Sequence, residues 1–206
     1  MTDLTLFLVS VVLVTIAPGP DIISVLTRGV SQGKKAGLAA AAGFSTGCIF
    51  HTTLAAVGVS ALLRSSPAAF AVVKIAGACY LVYIGIGTLR ARGGALVGGA
   101  AGGDPLRTIF RQSIIANILN PKVTLFFLAF LPQFVPPASR NVGFQLMVLG
   151  LIFMAVTIVI FSGVALGAGL IGDWLRRRPA VAVKIQSLAG LTFIALGIRV
   201  ALPDVR

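Results

Sequence analysis

The sequence predicts an all-α integral membrane protein of six transmembrane helices, built as two inverted three-helix repeats with broken helices in spans one and four. Three observations carry this expectation. The 206 residues are 57% hydrophobic and only 11% charged, with a mean hydropathy of +1.02. Six long apolar stretches follow one another along the chain, and two of them are interrupted by proline beside an ionisable residue. A water-soluble domain of this size covers itself with polar side chains, and this chain has too few of them.

The apolar stretches run over residues 4–27, 36–63, 68–89, 109–135, 142–171 and 180–202. Each meets the roughly 20 residues that an α-helix needs to cross a bilayer. Residues 1–5 contain no Lys or Arg, and the run behind them is longer than the apolar core of a cleavable signal, so it counts as the first span.

The net charge of +12 is placed in short clusters between apolar runs. That placement predicts membrane topology, and it excludes a nucleic-acid partner, because little water-exposed protein is left to carry a groove-binding element. Arg28, Lys34, Lys35, Arg90, Arg92, Arg107, Arg111, Arg176, Arg177, Arg178 and Lys184 fall on connections one, three and five. The other side has Arg64, Lys74, Arg140, Arg199 and Arg206, with Lys122 left inside a span. The positive-inside rule then places both termini away from the cytoplasm.

The third connection, residues 91–108, holds Gly93, Gly94, Gly98, Gly99, Gly102 and Gly103 before Asp104-Pro105. With no strand before it, it reads as a flexible linker rather than a phosphate-cradling loop. It divides one transporter domain into half-repeats of about 1–90 and 109–206. Three spans per half is an odd number, so the second copy is inverted. Val73-Lys74-Ile75 with Gly85 in span three is echoed by Val183-Lys184-Ile185 with Gly197 in span six. Gly43/Gly47 in span two and Gly163/Gly167 in span five are small pairs at the spacing that lets helices approach closely.

Span one contains Ala17-Pro18-Gly19-Pro20-Asp21. Two prolines remove two amide donors and clash with the preceding turn, so a continuous helix is costly there. Gly19 is expected to allow a backbone excursion, Pro20 to open a new helix, and Asp21 to occupy its first turn, where the dipole favours an anion. Span four contains Asn117 and then Asn120-Pro121-Lys122, an N-cap followed by a helix-opening proline. Interrupted spans at corresponding places in inverted halves point to a transport site. Asp21 and Lys122 stand beside the breaks, and burying either charge is costly unless it is paired, so an Asp21–Lys122 pair is expected.

The sequence resembles the LysE/RhtB superfamily of amino-acid exporters. The resemblance rests on Pro18-Gly19-Pro20-Asp21 and Asn120-Pro121-Lys122, supported by Gly77-Ala78-Cys79-Tyr80-Leu81 with Gly85, by Gly43 and Gly47, and by Pro132-Gln133-Phe134. It covers essentially the whole chain and implies export of neutral amino acids or close derivatives across the inner membrane, driven by the proton gradient. The chain looks like the RhtB-type branch. The lysine- and arginine-type pattern lacks an equivalent of Lys122 and carries an acidic residue soon after it, whereas Val123-Thr124-Leu125-Phe126 follows here. The implied partners are an amino-acid substrate, protons and the bilayer, with a homo-oligomer as a further expectation, and no cofactor.

His51, the only histidine, admits two readings: a hydrogen-bonded interhelix residue, or a substrate contact or proton relay. No second His, no Glu and no clustered carboxylates accompany it, so no metal site is expected. Cys48 and Cys79 read as apolar fillers of spans two and three. Their alternative is a membrane thiol–disulfide carrier, which needs a reactive cysteine in each half; both lie in the first. A passive small-solute channel would use the same central cavity without coupled gates.

Overall fold

The computed structural model describes residues 4–59, 66–90, 103–136, 139 and 141–202. Connection two with Arg64, most of the glycine linker (91–102), Arg140 and Arg206 lie outside the described residues. The described chain is helical throughout: α1 (Leu4–Ile16), α2 (Pro20–Gln32), α3 (Lys34–Leu54), α4 (Pro67–Arg90), α5 (Leu106–Ile118), α6 (Pro121–Leu125), α7 (Val142–Arg177) and α8 (Pro179–Ala201). Four stretches are long and apolar enough to cross a membrane as continuous helices. Counting each of two bent pairs as one span brings the number up to six: α1 with α2 at 54°, and α5 with the helical stretch from Pro121 to Phe134 at 48°. Each half therefore supplies one broken span followed by two continuous ones.

The outer surface is what a lipid-facing bundle requires. Val159, Val72, Leu170, Leu188 and Leu119 are all more than 60% exposed, a display of large apolar side chains that water would not tolerate on this scale. Inside, Phe126, Phe127, Phe130 and Phe134 interlock with Phe153 of α7 and Phe7 of α1, with ring centroids 4.9–6.3 Å apart. Within this run the helix loosens to a π-turn at Phe126–Phe130 and tightens to a 3₁₀ turn at Leu131–Phe134. Pro132 has no amide hydrogen to give to an i−4 carbonyl, and the irregular turns absorb that loss.

Close approach between helices depends on small residues. A methyl added at Gly43 would collide with the carbonyl of Phe110, and one at Gly47 would lie 2.6 Å from Asn117 Oδ1, so α3 lies tight against α5. Gly85 faces Gly190 across α4 and α8, and Gly197 faces the Ala78 carbonyl. These two helices are antiparallel: Lys74 at the start of α4 donates to the Leu202 carbonyl at 3.4 Å, and Gln186 at the start of α8 donates to Thr88 O at 2.9 Å.

The sequence expectation fails for span five. A Cβ on Gly163 would meet nothing within 4 Å, and one on Gly167 would meet only Ile171 of its own helix. The contact face of α7 is the neighbouring one, where Ala165 and Ala168 receive Gly29 and Gly37. Alanine at the contact, with glycine on the partner helix, serves the same close approach. Span five is also longer than its apolar stretch, continuing as helix through Arg177. At about 1.5 Å per residue, its 36 residues outreach the hydrocarbon core, so the last turns need no apolarity. There Trp174 lies 5.9 Å from the Arg178 guanidinium, an aromatic anchor suited to the interface.

The connection between α2 and α3 is the single residue Gly33, whose φ of +87° is a left-handed conformation that favours glycine. Arg28, near the end of α2, donates to Asp104 at 2.7 Å and to Gln112 of α5 at 2.9 Å, tying that end of the first broken span to the second. This end of the bundle also carries Lys34, Lys35, Arg90, Arg107, Arg111, Arg177, Arg178 and Lys184. The positive-inside rule expects this end to face the cytoplasm. A reporter that works only in the cytoplasm, fused after Arg206, is therefore expected to stay silent; activity there would reverse the orientation.

Candidate functional site

The two breaks meet. α1 ends at Ile16, and α2 opens with Pro20 in its first position and Gly19 as N-cap. Gly19 has φ −159° and ψ 175°, so the backbone does leave the helix there, in an extended conformation that any residue can adopt. The reason for glycine is space: a Cβ there would lie 2.9 Å from both Asp21 Oδ1 and Lys122 Nζ. In the second break, Asn120 caps α6 by accepting from the Lys122 amide at 3.0 Å, and Pro121 is the first helical residue. Pro20 and Pro121 turn their rings to the exterior and Pro18 is half-buried; they shape the backbone of the site without lining it.

Lys122 Nζ lies 3.1 Å from Asp21 Oδ1, with the Asp21 side chain 5% exposed and that of Lys122 4%. The ammonium has three donors. Its remaining acceptors are the carbonyls of Val14 at 3.3 Å and Ala17 at 3.5 Å, at the C-terminal end of α1. The Phe193 ring of α8 stands 5.8 Å away, within reach of a cation–π attraction. Lys122 thus sits at the negative end of one half-helix dipole and Asp21 at the positive end of the next. One cation from the second half holds together both pieces of the broken span in the first.

Beside the pair is a cavity of about 10 Å³, lined by Val14, Thr15, Asp21, Cys48, Asn117, Lys122, Val123, Phe153, Thr157 and Phe161. That is room for about one water. Three lining atoms, Thr15 Oγ1, Asn117 Oδ1 and Thr157 Oγ1, are buried without a hydrogen-bond partner. Thr15, Thr157 and Cys48 escape a sequence reading of the site, because a lone Thr or Cys in an apolar helix carries no distinguishing pattern.

His51 does not line the cavity. Its Nε2 lies 3.0 Å from the Asn117 carbonyl, near the end of α5. A carbonyl can only accept, so Nε2 carries the hydrogen and Nδ1 is left as an unpartnered acceptor. Packed between Phe50 and Phe127, the ring sits behind Asn117 rather than against the pair. Among the described residues no group of three or more His, Cys, Asp or Glu could hold a metal ion. Cys48 is buried and Cys79 exposed, both as free thiols.

A profile of the LysE type translocators matches residues 12–203, which include both breaks and every cavity residue. The chain belongs to the LysE type translocator family. This translocator is 33% identical to an uncharacterized membrane protein of Pseudomonas aeruginosa over 98% of its own length and 95% of the relative's. It is 30% identical to a leucine efflux protein of Enterobacter sp. (95% and 93% covered). It is also 30% identical to a homoserine/homoserine lactone efflux protein of Salmonella typhimurium (93% and 92% covered). No solved structure matches it. The family is one of transporters rather than enzymes, and the translocator is a membrane protein whose helices and relatives agree on that placement.

Removing one member of a buried pair typically costs about 3–5 kcal/mol. Asp21→Asn and Lys122→Met are each expected to lower the melting temperature of the detergent-purified translocator, and the double variant to recover most of the loss. Gly19→Ala should leave the fold intact while pushing the two ions apart, and so impair transport more than stability. A double variant no more stable than either single variant would contradict the pairing.

Proposed function

We propose that the chain is a secondary-active exporter of neutral amino acids or close derivatives across the inner membrane, driven by proton antiport. The observation that carries this reading is the buried Asp21–Lys122 pair, which joins the two breaks and lines a cavity too small for an amino acid. The named efflux relatives, for leucine and for homoserine, support the substrate class.

Admitting substrate requires the pair to part. A zwitterion supplies each ion with a replacement of the same sign as the partner it loses. The substrate carboxylate takes Lys122, together with the first amides of α2, which no side chain caps. The substrate ammonium takes Asp21 and the α1 carbonyls that Lys122 has vacated. Opening is then an exchange of partners rather than the exposure of bare charge in a low dielectric, which would be costly. Pro18, Gly19, Pro20, Asn117, Asn120 and Pro121 form the irregular backbone and walls of this pathway, and His51 steadies the Asn117 end of it.

Asp21 also provides the coupling. A proton arriving from outside neutralises it, removes the counter-ion of the ammonium and releases substrate outward. On the cytoplasmic side the proton leaves, the pair with Lys122 re-forms, and the next substrate parts it. One carboxylate that holds either a proton or an amine cannot hold both, and that exclusion makes the two movements opposite.

Inverted membrane vesicles test this directly. A labelled neutral amino acid should accumulate when the lumen is more acidic than the medium, and an uncoupler should abolish the accumulation. Acylating the amine should abolish uptake of every substrate. Equal rates with and without the gradient, together with indifference to acylation, would leave a passive channel as the better account.

A further inference from the structure

Hydroxyls on helices normally donate to the carbonyl one turn back, and this chain follows that habit at many positions. Ser10 donates to Leu6 O, Thr46 to Ala42 O, Thr52 to Cys48 O and Thr88 to Ile84 O, each at 2.8 Å. Thr15 on α1 and Thr157 on α7 do not: both are at least 97% buried, and Oγ1 has no partner in either. Both line the cavity beside the ion pair, and so does Asn117, whose Oδ1 is equally buried and equally unpartnered. Three unsatisfied polar atoms from three different helices thus converge on one space. The rest of its wall near them is apolar (Val14, Val123, Phe153 and Phe161) apart from the Cys48 thiol, which donates to the Phe44 carbonyl.

We infer that Thr15 and Thr157, with Asn117, read a hydroxyl on the substrate's side chain, so that this exporter prefers hydroxylated amino acids to aliphatic ones of equal size. The inference rests on the exporter reading above and deepens it. The charged ends of the substrate already have partners in Asp21 and Lys122, which leaves the side chain to meet the threonines. A threonine hydroxyl both donates and accepts, and Asn117 Oδ1 accepts only. A substrate hydroxyl, itself donor and acceptor, can satisfy these atoms; a methyl in its place leaves them buried and unpaired. Sites built to bond a substrate hydroxyl reject the analogue without it far more strongly than apolar pockets reject an extra methylene. In the closed form one water can serve the same three atoms.

The test uses isosteric pairs, threonine against valine and homoserine against norvaline, in inverted vesicles under an imposed pH gradient. The wild-type chain should favour the hydroxylated member by about tenfold or more in kcat/KM, the scale expected when a buried polar group loses its partner. Thr15→Val and Thr157→Val should each shrink that ratio, and Thr157→Ser should keep it. A wild-type ratio near one, or one favouring the aliphatic member, overturns the inference whatever the variants do. A hydroxyl preference that survives both valine substitutions overturns the assignment to these residues. If the wild-type chain moves no member of either pair, the inference is overturned; leucine uptake under the same gradient would keep the exporter reading standing, and its absence would end that reading too.

Discussion

The buried contact between Asp21 and Lys122 is the constraint to which the rest of the bundle answers. Either ion alone in the apolar interior would cost several kcal/mol. The pair is affordable only where half-helix ends supply opposite partial charge. That condition places both breaks at the same depth. Prolines at positions 18, 20 and 121 create those ends, the carbonyls of Val14 and Ala17 receive the ammonium, and Gly19 leaves room for both heads. The two halves of the chain are tied together at this point by charge, not only by packing.

Packing works to the same end. Because lipid tails are as apolar as leucine, helices in a membrane associate through close contact rather than through exclusion of water. The contacts made by Gly43 and Gly47 on α3, Gly85 on α4, and Gly29 and Gly37 against α7 bring backbones within reach of one another around the ion pair. The resulting cavity is nearly filled. A bundle that encloses room for about one water, yet belongs to a translocator family, must change shape to work. The contact easiest to exchange is the one whose two partners a zwitterion can replace.

Much of this is legible in the sequence because it follows from composition and from residues with few conformations. Apolar runs mark the spans, proline marks the breaks, and two lone ions beside those breaks mark each other. What stays hidden has physical reasons. The helix of span five runs on to Arg177 because backbone hydrogen bonding, not hydropathy, decides where a helix ends outside the bilayer. Gly163 and Gly167 have the spacing of a contact pair, but spacing does not say which face of a helix meets a neighbour; Ala165 and Ala168 do. Gly19 marks the backbone excursion in the sequence, but its role as a gap for two side chains does not show there. Thr15 and Thr157 look like any hydroxyl on an apolar helix until the missing back-bond becomes visible in three dimensions.

The central claim is that Asp21 holds either a proton or the substrate's amine. Proton counting during transport tests it most directly. Neutral amino acid is added to weakly buffered inverted vesicles with an acidic lumen while the pH of the medium is recorded. The account predicts that wild-type vesicles release protons to the medium as substrate enters, and that Asp21→Asn vesicles release none. Substrate uptake without proton release in wild-type vesicles, or unchanged release with Asp21→Asn, would contradict it.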